Sequence, residues 1–287
     1  MSEKRNGFIR FDNIDEFETY IKNLKIRRKI NGLQVHHMAL PNYACFYKGK
    51  GVTEDELVRT INLDYYGKSK GWSCIAQHFN IFPNGKITTG RDINKTPVGI
   101  TGWNANKICI EIYGDFDKNK DVMKDEQREA VIAVYAILCE KLNLTPSTST
   151  IRAHAWFTSG GTYLGDYYKN KSAKTCPGTN FMNFGNSRLA FINNFYPLIE
   201  KYLANHNTNK DTAKNIKLVK NISKEKLNIR SSPNWNGKII ATLNPGDSLT
   251  YISGPLSAKG STTKMYKCKN NSYITASSKY TKIITKK

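Results

Sequence analysis

No apolar run in this sequence is long enough to span a bilayer. The longest, AVIAVYAILC at 130–139, is half of what a transmembrane helix needs. The N-terminal MSEKRNGFIR also lacks the apolar core of a secretory signal. These absences predict no membrane insertion and synthesis in the cytoplasm with no export address. Cysteine is sparse: Cys45, Cys74, Cys109, Cys139, Cys176 and Cys268 show no paired spacing, and several sit inside apolar runs. Reduced thiols are expected rather than a disulfide framework. Only five histidines occur, and no internal repeat is visible.

Acidic residues are also short. Twenty-three of them face 44 Lys and Arg, a net charge of +21. Such a balance favours polyanions: nucleic acid, anionic lipid, or the anionic polymers of a cell wall. The excess is uneven. From His206 onward there are 16 basic and 3 acidic residues, or +13, whereas the preceding 205 residues carry only +8. The tail reads as a basic unit of its own.

The chain of 287 residues suits one good-sized domain and a small one. Polar, aperiodic sequence at 206–215 predicts a linker after the helix-like NSRLAFINNFYPLIEKYL. Before it, elements alternate. Asp12 or Asp15 can cap a short helix bearing Phe17, Ile21 and Leu24, and GLQVHHMAL reads as a buried strand. TEDELVRTINLDYYG reads as a helix capped by Thr53 with Glu56 three residues on. SCIAQHFNIF and KICIEIYG read as strands, MKDEQREAVIAVYAILCEKLNL as a helix, and TSTIRAHAW as a last short strand. The expectation for 1–205 is an α/β layer structure. Residues 216–287, short strands broken by Ser-Ser-Pro, Asn-Gly and Pro-Gly-Asp turns, predict a small all-β barrel or sandwich.

Chemistry has few places to reside. His36 and His37 share a strand whose side chains alternate faces, so at most one reaches any given site. His78 and His154 read as strand ends, and His206 as a solvated linker residue. Cys176, in KSAKTCPG, reads on its own first as a packed thiol, with half of a disulfide or a metal ligand as the alternatives. Spacing alone leads no further than a His/His/Cys zinc site with widely separated members.

LQVHHMA, GWSCIAQHFNIFPNGKITTGRD, NKICIEIYG, IRAHAW and KTCPG follow one another as in the type 2 N-acetylmuramoyl-L-alanine amidases, the zinc amidase family that includes phage endolysins and the peptidoglycan recognition proteins. Residues 10–200 resemble that family, and LNIRSSPNWNGKIIATLNPGDSLTYI resembles a bacterial SH3 domain of the wall-targeting kind. The pairing resembles a Gram-positive phage endolysin. The resemblance implies a mixed central β-sheet flanked by helices (1–205), a linker (206–215) and an SH3-like barrel (216–287). The implied reaction is hydrolysis of the amide between N-acetylmuramic acid and L-alanine. Implied partners are the peptidoglycan of Gram-positive walls and anionic wall polymers, reached after release from the host cytoplasm, with no nucleic acid.

The resemblance also places roles. His36, His154 and Cys176 fall on the zinc ligands, leaving one tetrahedral position open, as in catalytic zinc sites. Lys174 falls on a lysine that can stabilise an oxyanion. Glu111, an acid in an apolar strand, falls on a glutamate proposed to take the proton of the attacking water. Gln77 stands where many members carry a tyrosine; it cannot exchange a proton, but its amide can hold a substrate carbonyl. Trp103 is a candidate stacking residue, as are Tyr163 and Tyr167. The segment KTPVGITGWNANK lacks a histidine found in many members, and 21 residues separate His154 from Cys176, more than in compact members. Two rivals are a wall-binding module without catalysis, which the presence of Cys176 disfavours, and a nucleic-acid binder, which lacks a recognisable basic-aromatic motif here.

Overall fold

Asn6 and Gly7, with φ of 50° and 86°, form the two-residue turn that Asn-Gly favours. They join β1 (Glu3–Arg5) to β2 (Phe8–Phe11), a hairpin that strand periodicity did not announce. The computed structural model describes residues 2–47, 55–214 and 216–285. Its contacts divide into two compact units, residues 1–204 and 205–287.

In the first unit, α1 (Ile14–Asn23) is capped by Asn13, whose side chain accepts from Glu16 N, rather than by Asp12 or Asp15. There follow β3 (Gly32–His37), α2 (Tyr43–Tyr47) and α3 (Glu56–Ser69). Thr53 lies outside the described residues; the α3 cap is Asp55, accepting from Leu57 N and Val58 N. Next come β4 (Phe79–Ile81), β5 (Ile87–Thr89), β6 (Lys107–Ile112), α4 (Asp125–Leu142) and β7 (Ile151–Ala153). A last helical run begins at α5 (Arg188–Ala190), widens to a π-helical turn at Phe191–Phe195 and continues as α6 (Tyr196–Lys214). The polar stretch read as a linker from 206 is therefore helical as far as Lys214.

The sheet order is β1-β2-β5-β4-β6-β3-β7. Its central members β4, β6, β3 and β7 run parallel, and β5, β2 and β1 add an antiparallel edge. All six residues of β3 are buried, as expected of a parallel strand covered on both faces. Helix α4 buries Ala130, Val131, Val134, Tyr135 and Leu138 in the same core as Leu33, Val35, Ile108 and Ile110. This is a mixed α/β core, as expected.

The named strands of the second unit pair antiparallel: β8 (Lys217–Asn221), β9 (Leu227–Arg230), β10 (Ile239–Leu243), β11 (Ser248–Leu256), β12 (Met265–Cys268), β13 (Ser272–Thr275) and β14 (Thr281–Thr285). Their order is β10-β9-β13-β12-β11-β8-β14. It has its own small core of Val219, Leu227, Ile229, Leu243, Cys268 and Ile274. No helix among the described residues is long and apolar enough to cross a membrane, and all six cysteines are unpaired.

Candidate metal centre

Parallel pairing aligns the C-terminal ends of three strands. His36 in β3 pairs with Glu111 in β6, and Val35 pairs with Ala153, the last residue of β7, so His154 emerges beside His36. The carboxyl ends of parallel strands are where open α/β sheets bind ligands. His154 starts a 3₁₀ turn (His154–Trp156) rather than ending a strand. Cys176 arrives on a loop whose carbonyl accepts from Ala155 N at 2.7 Å, which ties the third member to the second.

The donor atoms of His36, His154 and Cys176 lie within 4.8 Å of one another. His36 Nδ1 is 3.6 Å from Cys176 Sγ and 3.8 Å from Glu111 Oε1. Bond lengths of a tetrahedral zinc site put nitrogen and sulfur donors roughly 3.6 Å apart, so this pair has the spacing of co-ligands. The imidazoles of His36 and His154 meet edge to face, centroids 4.9 Å apart. His36 and Cys176 are only 2% and 3% exposed.

A third contact selects the tautomer of His36. Its Nε2–H donates to Gln34 Oε1 at 3.1 Å, leaving the Nδ1 lone pair facing Cys176 and Glu111. Gln34 is itself held: its Nε2 donates to Trp103 O (2.6 Å) and Asn104 Oδ1 (3.1 Å). Metal-bound histidines characteristically give their second nitrogen to such a partner. Gly99 makes the space, since a Cβ there would lie 2.0 Å from Gln34 Oε1. Sequence reading passed over Gln34, although it stands two residues before His36 and hence on the same face of the strand.

Electrostatics fit a site built for a cation. Burial, then His154 and Lys174, hold the His36 imidazole well below its usual pKa; burial, then Lys174, bring His154 down to about 4. Burial, then the Glu111 carboxyl, push the Cys176 thiol well up, against the pull of the His37 N–H 3.3 Å from Sγ. Burial raises Glu111 to about 8, opposed by Lys174, and its Oε2 is buried without a hydrogen-bond partner. A dication reverses this order for the acids, since a coordinating thiol is deprotonated outright. Two neutral imidazoles, one thiol and an orphaned carboxylate oxygen thus fit zinc.

The remaining residues divide. A cavity of about 320 Å³ is lined on its polar side by His36, His37, Gln77, Glu111, His154, Lys174 and Cys176. Gln77 donates to Asn80 Oδ1 there. Trp103 lies outside the lining: its ring packs on Phe157 and against the Lys107 and Arg152 cations, and it reaches the centre only through its carbonyl on Gln34. Tyr163 packs at a tilt on Phe157 with the Arg152 guanidinium over its ring, and Tyr167 packs on the core. His37 faces the other way from His36, its Nδ1 accepting from Phe116 N at 3.0 Å. His78 is structural: Nδ1 accepts from Cys109 N and Nε2 donates to Lys95 O.

Several solved structures are similar to this chain. One is the N-acetylmuramoyl-L-alanine amidase LysC from Clostridium intestinale URNW, at 24% identity and TM-score 0.38, covering 53% of this chain and 78% of that one. Another is Drosophila PGRP-LB, at 18% identity and TM-score 0.40, covering 54% and 78%. Bumblebee PGRP-SA follows at 17% identity and TM-score 0.41, covering 62% and 93%. No curated protein matches significantly. The family model for N-acetylmuramoyl-L-alanine amidase matches residues 26–179, more than half of the chain and all of the centre described above, and the chain belongs to that family.

Proposed function

We propose that this protein is a zinc-dependent peptidoglycan hydrolase that cuts the amide between N-acetylmuramic acid and the L-alanine of the stem peptide. The observation that carries the reading is the convergence of His36, His154 and Cys176 beside an unpartnered Glu111 carboxylate. Those three side chains would hold the metal. When bound, zinc supplies a Lewis acid for the carbonyl and lowers the pKa of water to about 7. Glu111 accepts the proton of the attacking water and returns it to the departing alanine amine. Lys174, on the cavity wall, steadies the oxyanion that develops on the lactyl carbonyl. Gln77 offers its amide to the substrate, and Trp103 acts at one remove by holding Gln34.

The antiparallel unit at 216–287 is read as an SH3-like barrel that binds Gram-positive peptidoglycan and, through its net charge of +12, anionic wall polymers. The whole would serve as an endolysin, made in the cytoplasm of a phage host and acting after release.

The test is metal analysis of the purified protein paired with clearing of Gram-positive walls and analysis of the products. One zinc per chain and new L-alanine N-termini are expected. Cys176→Ser should lose most of the metal, because a hydroxyl is a far poorer zinc ligand than a thiolate. His37→Ala should keep it, since that ring is turned to Phe116. New reducing ends in place of new amines, or zinc retained by Cys176→Ser, would overturn the reading.

A further inference from the structure

The loop after β6 carries an acidic residue that the reaction does not use. Asp117 Oδ2 accepts from Thr175 Oγ1 at 2.8 Å, and its Oδ1 accepts from Thr179 N at 2.9 Å and Thr179 Oγ1 at 3.2 Å. One carboxylate therefore holds both flanks of the turn bearing Cys176. The grip is reinforced around it. Asn180 N donates to Phe116 O at 2.8 Å, and Lys118 N donates to Thr179 Oγ1 at 2.9 Å. Gly178, at φ 118°, lies so close that a Cβ there would sit 2.3 Å from Phe116 O. The same loop meets the strand of the first ligand, because Phe116 N donates to His37 Nδ1.

We propose that Asp117 is a positioning residue for the metal centre: it holds the Thr175–Thr179 turn so that the Cys176 sulfur stays at co-ligand distance from His36. The inference rests on the zinc reading above. Without that clamp the thiol would have to be ordered at the moment of binding, a cost subtracted from metal affinity. Charge-assisted hydrogen bonds from two threonines suit the task, being shorter and stronger than neutral ones. His37, Asp115 and Asp117 also bring potential ligand atoms within 4.8 Å of one another. Both Asp117 oxygens are committed to threonines, however, and His37 Nδ1 to Phe116 N, so this group is scaffold rather than a second ion site.

The experiment measures zinc affinity of the full chain by chelator competition for wild type, Asp117→Ala, Thr175→Val and the double variant. Asp117→Ala should weaken zinc about 10- to 100-fold, the usual effect of losing an outer-shell partner. Thr175→Val should weaken it less, and the double variant no more than Asp117→Ala, because the Thr175 side chain acts only through its bond to Asp117. Cobalt(II) in place of zinc supplies a signature that a purely structural role leaves untouched. The thiolate-to-cobalt band should weaken in Asp117→Ala at metal saturation, while Thr175→Val, which retains the carboxylate and its Thr179 bonds, guards against loss of fold in the first variant. Wild-type affinity and spectra in both variants would overturn the assignment, as would two zinc ions per chain of which Asp117→Ala loses one. A wild-type protein that binds no zinc would overturn the centre itself and the clamp with it.

Discussion

Gln34 Oε1 accepts from His36 Nε2 at 3.1 Å, and the same side chain donates to Trp103 O and Asn104 Oδ1. A buried carboxamide is thereby wired between the His36 imidazole and the 99–104 loop. Gln34→Met should weaken zinc binding about 10- to 100-fold, and should also cost about 1–3 kcal/mol of stability by leaving Trp103 O without its donor and His36 Nε2–H without its acceptor. Gly99→Ala tests the same link from the other side. Its Cβ would fall 2.0 Å from Gln34 Oε1 and displace it, so zinc affinity should fall although no polar group is removed. Chelator titration and thermal melts read both; wild-type affinity in Gly99→Ala would show that Gln34 does not orient His36.

Glu111 is poised differently from an ordinary structural acid. Its Oε1 lies 3.8 Å from His36 Nδ1, and its buried Oε2 has no partner. Glu111→Gln preserves shape and removes the proton acceptor. Zinc content and melting temperature should stay near wild type while turnover drops by about 10² or more. Turnover within a few fold of wild type would move the base elsewhere.

Much of this site was legible, and the limits have physical causes. The two-residue period of β3 separates the ring of His36 from that of His37, because alternation along a strand follows from backbone geometry alone. The acid at Glu111 stood out because it interrupts an apolar strand. Gln34 did not stand out, because a neutral amide in a strand gives no charge or periodicity signal; only its partners reveal its role. Asp117 was invisible for a related reason, since its threonine partners lie about sixty residues away. Local rules also went unread. Asn6-Gly7 is a favoured hairpin pair, but the strands beside it, three and four residues long, are too short to show alternation. Residues 206–214 lack apolar periodicity, yet they prolong a helix that Tyr196, Ile199 and Leu203 have already packed.

His78 gives the fold a pH dependence apart from the metal. Burial, with Arg28 and Arg91 nearby, lowers its pKa from the ordinary 6.5 to about 3, although the bond to Lys95 O works the other way. The folded state therefore keeps it neutral where the unfolded chain takes up a proton. Its contribution is fully present above pH 6.5 and is lost as pH falls from 6.5 toward 3. Urea midpoints of metal-free protein should drop by the equivalent of a few kcal/mol over that window. His78→Gln should show a shallower slope, because the other buried histidines act equally in both proteins. Parallel slopes would remove His78 as the source.

The two units should be separable in function. Every residue assigned to the centre precedes Ala204, and the second unit closes its own core around Val219, Ile229 and Ile274. Residues 1–215 alone, retaining all of α6, should bind zinc and cleave soluble muropeptide; residues 216–287 should bind walls without cutting them. Tethering raises the local concentration of the enzyme at the wall, so deleting the tail should cost far more activity on intact cells than on soluble fragments. The tail's charge gives a second handle. With 14 basic and 2 acidic residues over 216–287, part of its wall binding should be polyanion attraction and should fade as salt shortens the screening length. A pulldown of the isolated tail on purified Gram-positive walls across a salt series reads this directly. Binding that declines but persists at high salt would indicate a specific wall ligand supplemented by charge. Binding abolished by moderate salt would leave charge as its only source, and a tail that stays in the supernatant at low salt would end the targeting role.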